Sequence, residues 1–228
     1  MEISFTYLLA VAQIIWVNLL LSGDNAVVIA MACRSLPDNR RNLGIMLGSG
    51  AAVILRILFS FIIVWLLGIP FLKAIGGLLL IWIAVKLVVG EDNSNTTVTA
   101  SQKLWNAVTT IAMADAVMSL DNVVAIAAIA REDYSLFIFG IVLSVPLVVV
   151  GASLITVLLT RVPMLVWAGA ALLGWIAGDM VMSDTAAFTK LGIMLPEKLH
   201  YPAAVLGVLI VVALGYAIRN WKKTSPAP

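Results

Sequence analysis

Two acid–amide pairs stand in the middle of apolar stretches, inside a sentence that the chain writes twice. Residues 18–34 read NLLLSGDNAVVIAMACR, and residues 115–131 read DAVMSLDNVVAIAAIAR. Ser22, Asp24, Asn25 and Arg34 recur 97 positions later as Ser119, Asp121, Asn122 and Arg131. A charged side chain at the centre of a bilayer costs roughly 3 kcal/mol or more, so an intramembrane carboxylate is by default a functional residue. Two of them, in two matching halves, point to a polar site of the kind transporters build between structural repeats.

The ligand chemistry that these residues offer is oxygen only: Asp24, Asn25, Asp115, Asp121 and Asn122, with Ser22 and Ser119 beside them. Carboxylate and carbonyl oxygens suit hard divalent cations such as Mg²⁺, Ca²⁺ or Mn²⁺. Met118, next to Ser119, offers a soft ligand that would favour Mn²⁺ over Ca²⁺, set against ordinary packing. On a helix at about 100° per residue, Asn18, Ser22 and Asn25 share one narrow face, as do Asp115, Ser119 and Asn122. Asp24 and Asp121 fall about 100–120° off those faces. Either each Asp serves a second partner, or the helix unwinds at the motif. Gly23 eases unwinding in the first copy, where the second has Leu120. Asn18 stands where the second copy has Asp115, so the site is asymmetric in charge. The alternative without a substrate is an interhelical hydrogen-bond clasp, for which a repeated ionisable Asp is an expensive choice.

The elements that position these residues follow from composition. The chain has 228 residues, 62% apolar and 11% charged, against about 25% charged in average soluble domains. It reads as one all-α polytopic membrane domain, with no room for a soluble one. A span needs about 20 apolar residues, and seven are expected: 7–32, 43–67, 71–90, 104–130, 135–160, 163–182 and 202–219. The start is read as a retained helix, because no basic segment precedes the apolar run. With the N-terminus outside, the inner side holds nine Lys and Arg against four on the outer side, which favours a cytoplasmic C-terminus. Lys and Arg sit at span ends, so no basic patch for nucleic acid forms.

The repeat runs past the first helix. Gly76, Trp82 and Ala84 match Gly169, Trp175 and Ala177 at a spacing of 93. Residues 7–90 thus pair with 104–182, with 91–103 as a cytoplasmic linker and 202–219 as an extra helix. Three spans per unit is odd, so the second unit enters the membrane inverted, a 3+3 inverted repeat. Arg56 lies in mid-span and must pair with Asp24, Asp115 or Asp121. It would hold the site's charge when a cation leaves, or act as a structural ion pair. Asp179 is either a ligand near the outer mouth or a helix-end residue, and Lys86 reads as a snorkelling side chain. Gly44-x-x-x-Gly48 and Gly174-x-x-x-Gly178 are small-residue stripes for packing within the chain. Cys33 alone forms no disulfide or metal cage, and His200, in a polar loop, makes no ligand cluster.

The two motifs resemble those of the TerC family, and the S-G-D-N form is nearest to its short bacterial YjbE/YkoY-type branch. The likeness covers residues 7–220. It implies a seven-span protein of the lysine-exporter superfamily, in a family with manganese exporters, links to tellurium resistance and members tied to metal loading of secreted proteins. Carried over by residue, the family's metal-binding pairs fall on Asp24 and Asn25, and on Asp115, Asp121 and Asn122. Many members have an acid at the position of Asn18, so the charge here is one lower.

A secondary transporter exporting a divalent cation, Mn²⁺ foremost, is therefore the leading expectation. The metal is then a substrate, and no permanently bound cofactor is expected. No G-x-x-x-x-G-K-[ST] loop is present, so an ion gradient or the membrane potential must drive it. Two close carboxylates repel when the metal leaves, so exchange for protons is expected. A membrane factor that hands metal to secreted proteins is the second reading. An intramembrane aspartyl hydrolase is the third and is set aside, for want of a G-x-G-D signature.

Overall fold

The computed structural model describes residues 5–90, 99–130, 134–193 and 196–224, and all of the regular structure among them is helical. The order is α1 (Phe5–Cys33), α2 (Asp38–Leu67), α3 (Leu72–Val89), α4 (Ala100–Ala130), α5 (Tyr134–Arg161), α6 (Leu165–Met182), α7 (Thr185–Leu191) and α8 (His200–Thr224). The expected spans coincide with α1 to α6 and α8 to within a few residues. Residues 91–98 of the expected 91–103 linker and the motif residue Arg131 lie outside the described residues, and α4 already begins at Ala100.

Six of these helices, among the described residues, hold a segment long and apolar enough to cross a membrane: Tyr7–Cys33, Asp38–Phe59, Leu72–Val89, Ile138–Arg161, Leu165–Leu191 and His200–Trp221. The seventh expected span falls on α4, which is 31 residues long and carries Asp115 and Asp121. Large apolar side chains are turned outward, with Phe61 and Trp65 about as exposed as in an open chain, at 80% and 81%. Water penalises such a surface and hydrocarbon does not. The chain is a multi-pass integral membrane protein.

One expectation is corrected in the stretch after α6. The residues 183–202 are not a plain loop: α7 forms there, followed by a short 3-10 turn, Glu197–Leu199, and His200 opens α8. Asp184 starts α7, its carboxylate accepting the Ala187 N–H at 2.9 Å. Gly192 stops it in the left-handed region at φ 67°, a conformation that glycine adopts without strain. Asp184 is buried, and its other oxygen accepts the Ala74 N–H at the start of α3. A cap residue before Thr-Ala-Ala was readable in the sequence.

Two compact units make up the chain, and each draws on both sequence halves. Unit 1 is Met1–Ile63 with Ala100–Leu158, and unit 2 is Val64–Thr99 with Leu159–Pro228. In unit 1, α1 packs on α4, and Ile14 of α1 is buried with Leu136 of α5. A Cβ on Gly151 of α5 would stand 3.1 Å from the Ala26 methyl of α1, and one on Gly48 of α2 would meet Ile111 of α4. In unit 2, α6 packs on both α3 and α8. There glycines bring backbones together: a Cβ on Gly174 would stand 2.7 Å from the Gly207 carbonyl oxygen, and one on Gly77 2.6 Å from that of Ala177. The glycine stripes at 44–48 and 174–178 thus pack within the chain.

Candidate functional site

The polar residues of the repeated motif face inward, as their spacing requires. On α1, Asn18, Ser22 and Asn25 are buried. On α4, Asp115, Ser119 and Asn122 are buried likewise. Asp24, a hundred degrees around α1, is only partly buried. The Asp121 side chain lies outside the described residues. Because α1 packs on α4, the two faces belong to one interior. Asn25 and Asp115 line the same crevice with Val28, Ile29 and Ile111. It has no room for a water molecule.

Both helices run through the motif without a break. Of the two arrangements open to the sequence, this conformation adopts the straight helix with Asp24 turned to another partner. That partner is the next peptide: Asp24 Oδ1 accepts the Asn25 N–H at 2.7 Å. In a regular helix this N–H goes to the carbonyl four residues back, so a second acceptor competes for it here. Gly23 beside it is exposed, and a Cβ there would meet nothing within 4 Å.

The two copies diverge at the position where their charge differs. Asn18 Nδ2 donates to the Ile14 carbonyl one turn back, at 3.0 Å, and so satisfies itself within its own helix. Asp115 instead holds a cation. Arg56 of α2 donates through Nη2 to Asp115 Oδ1 at 2.9 Å, with both side chains about 95% buried. Ser119 Oγ donates to the other oxygen, Oδ2, at 2.8 Å, and Arg56 Nε reaches Ser119 Oγ at 3.5 Å. Arg56 is the one buried basic side chain among the described residues. Of the three acids open to it, Asp115 is its partner.

Other expected neighbours are placed differently. Met118 is buried on α4, with no ligand geometry to distinguish it from core. Asp179 belongs to unit 2, where its Oδ1 lies 2.7 Å from His200 Nδ1 and ties the end of α6 to the start of α8. Lys86 stands 5.3 Å from the Trp82 ring centroid, which fits a snorkelling amine. Cys33 is fully buried. No group of three or more His, Cys, Asp and Glu side chains assembles among the described residues.

Ser49 was missed. It is buried on α2, and its Oγ has no hydrogen-bond partner among the described residues. Its position seven residues before Arg56 puts both on one helix face, a signal present in the spacing alone. Asn122 Nδ2 is also buried with no partner among the described residues. A carboxamide can be turned to present its oxygen instead, so this face can offer either a donor or a ligand.

The chain is similar in sequence to several membrane proteins. The chain is 42% identical over 178 residues to the uncharacterized membrane protein YjbE of Bacillus subtilis, covering 78% of this chain and 81% of that protein. It is 27% identical over 210 residues to YceF of the same organism, covering 87% and 76%. YkoY, also from Bacillus subtilis, is 23% identical over 227 residues, covering 90% and 70%. No solved structure matches the chain. The model of the integral membrane protein TerC family matches residues 3–225. The chain belongs to the TerC family.

Proposed function

We propose that the protein is a secondary transporter that exports a divalent metal cation, Mn²⁺ foremost, through the polar interior that α1 and α4 share. The observation that supports this is the crevice on which Asn25 and Asp115 meet. It brings one residue from each copy of the motif to one place, both oxygen ligands suited to a hard cation. Asp24 stands next to Asn25 on α1, and in this reading Asp121 supplies the matching acid on α4. The family's association with metal transport and tellurium resistance fits the same chemistry. In this reading the seven long helices all span a bacterial inner membrane, as a 3+3 inverted repeat plus α8, with the N-terminus outside and the C-terminus in the cytoplasm. Protons are the counter-ion: a carboxylate that loses its metal in a low-dielectric interior takes up a proton instead. The protein acts without enzymatic turnover.

The test is Mn²⁺ flux into proteoliposomes under an imposed proton gradient, with Asp24→Asn and Asp121→Asn beside the wild type. Saturable flux in the wild type, lost in both variants and abolished by collapsing the gradient, is expected. Flux that ignores the gradient removes the proton coupling. Metal binding by the purified protein without flux favours the second reading, a membrane factor that hands metal to secreted proteins.

A further inference from the structure

We propose that Arg56 is a tethered competitor of the transported cation: its guanidinium holds the Asp115 carboxylate until a divalent cation takes it, and Arg56 thereby sets the affinity of the site. The inference rests on the transport reading above and names the group that regulates it.

The argument starts from the two oxygens of Asp115. Both are engaged, Oδ1 by Arg56 and Oδ2 by Ser119. A cation that coordinates this carboxylate must therefore displace a donor or share with one. The two donors are not equivalent. A serine hydroxyl has one hydrogen and two lone pairs. By turning its hydrogen away, Ser119 stays in place and offers its own oxygen to the metal. A guanidinium has five N–H donors, no acceptor and a charge that it keeps at any physiological pH. Arg56 cannot turn into a ligand, and two cations on one buried carboxylate repel. It has to leave.

The fold provides somewhere to go. Side chains on a helix lean toward its N-terminus. Two turns toward the N-terminus of α2, on the face of Arg56, lies Ser49, whose buried Oγ has no partner among the described residues. That oxygen is a buried acceptor on the helix face that Arg56 also occupies. The asymmetry of the repeat fits as well. The position matching Asp115 in α1 is Asn18, which bonds within its own helix and needs no counter-charge. Asp115, the acid on these two buried faces, is the residue that carries a fixed cation.

The test is Mn²⁺ binding to purified protein in detergent, read from the electron-paramagnetic signal of free Mn²⁺. Thermal midpoints on the same samples establish folding. Arg56→Gln is expected to bind Mn²⁺ about tenfold more tightly than wild type, since a charge-assisted competitor is gone. Arg56→Lys, which keeps a cation without the planar fork, is expected to fall between. The gain is expected to vanish when Asp115→Asn is added. A folded Arg56→Gln variant with unchanged or weaker affinity overturns the proposal and leaves the transport reading standing. No Mn²⁺ binding by wild type or by Arg56→Gln overturns both. Where Arg56→Gln does not fold, Arg56→Lys decides: a folded Arg56→Lys variant is expected to bind Mn²⁺ several-fold more tightly than wild type. Arg56→Lys with unchanged or weaker affinity overturns the proposal.

Discussion

Twelve polar or charged side chains are buried among the described residues; eleven lie in unit 1 and one, Asp184, in unit 2. The glycine contacts divide the other way. In unit 2, Gly77, Gly174, Gly178 and Gly207 each face the backbone of a neighbouring helix and Gly215 faces side chains, whereas in unit 1 Gly44, Gly48 and Gly151 face side chains alone. Lipid supplies no hydrophobic drive between helices, so close packing and interhelical hydrogen bonds must hold them. Unit 2 leans on backbone packing, with Asp184 and the Asp179–His200 pair as its polar links, and unit 1 on buried polar side chains. The difference has a mechanical consequence. A side-chain contact yields by changing rotamer, and a backbone contact yields only if a helix moves. At these glycines the packing of unit 1 therefore yields more readily than that of unit 2.

The sharpest way to break this comparison is to remove the acid from the buried ion pair of unit 1. Asp115→Ala leaves the Arg56 guanidinium buried without its carboxylate, a loss that costs about 3–5 kcal/mol in buried pairs. A fall in thermal midpoint of corresponding size is expected in detergent. Replacing both partners, Arg56→Met with Asp115→Leu, is expected to recover most of it, because no orphaned charge is left. If Asp115→Ala is as stable as wild type, the polar network is not what holds unit 1 together.

A smaller effect sharpens the contrast between the glycines. In Gly207→Ala the new methyl meets the Gly174 carbonyl oxygen, and neither backbone can step aside. About 1–3 kcal/mol of destabilisation is expected, the usual cost of overpacking. In Gly48→Ala the methyl meets the Ile111 side chain, its terminal Cδ1 closest and Cγ2 at 3.3 Å. An off-rotamer shift of Ile111 costs about 1 kcal/mol, and replacing glycine in a helix returns about 0.5–1 kcal/mol. Unfolding of the two variants side by side is expected to show Gly207→Ala clearly weaker and Gly48→Ala near wild type. Equal losses would mean that both units are held in the same way.

Much of this was legible in the sequence, for physical reasons that can be named. Bilayer thickness fixes span length, so the helix positions followed from hydropathy. Helical periodicity fixes which residues share a face, so the buried trios Asn18–Ser22–Asn25 and Asp115–Ser119–Asn122 followed from spacing. The need of a buried cation for an anion narrowed Arg56 to three partners, but choosing Asp115 required the packing of α2 on α4. The grouping of helices into units was not legible, because sequence halves and packing units differ: α1 pairs with α4, and α3 with α6. The pairing of Asp179 with His200 was not legible, since nothing local reveals that partner. Helix α7 was hidden by its seven residues, too few for a periodic pattern to show.

The smallest expected change in stability carries the most information about motion. Gly23 lies one residue before Asp24 and beside no other group, so space does not require a glycine there. Gly23→Ala is expected to stabilise α1 by about 0.5–1 kcal/mol, through lost backbone freedom alone. At this turn, however, Asp24 competes with the helix ladder for the Asn25 N–H. A chain that opens here during transport needs that freedom. Thermal midpoint and initial Mn²⁺ flux, measured on one preparation, are therefore expected to move in opposite directions, the midpoint up and the flux several-fold down at unchanged binding affinity. The second copy supplies the control. In α4 the same position is Leu120, and a Leu120→Gly variant loosens that helix without adding a ligand. Flux that falls in Gly23→Ala and is not restored by Leu120→Gly assigns the opening to α1. Flux equal to wild type in the stiffened α1 would mean that this helix moves as a rigid rod, leaving side chains such as Arg56 to make the change.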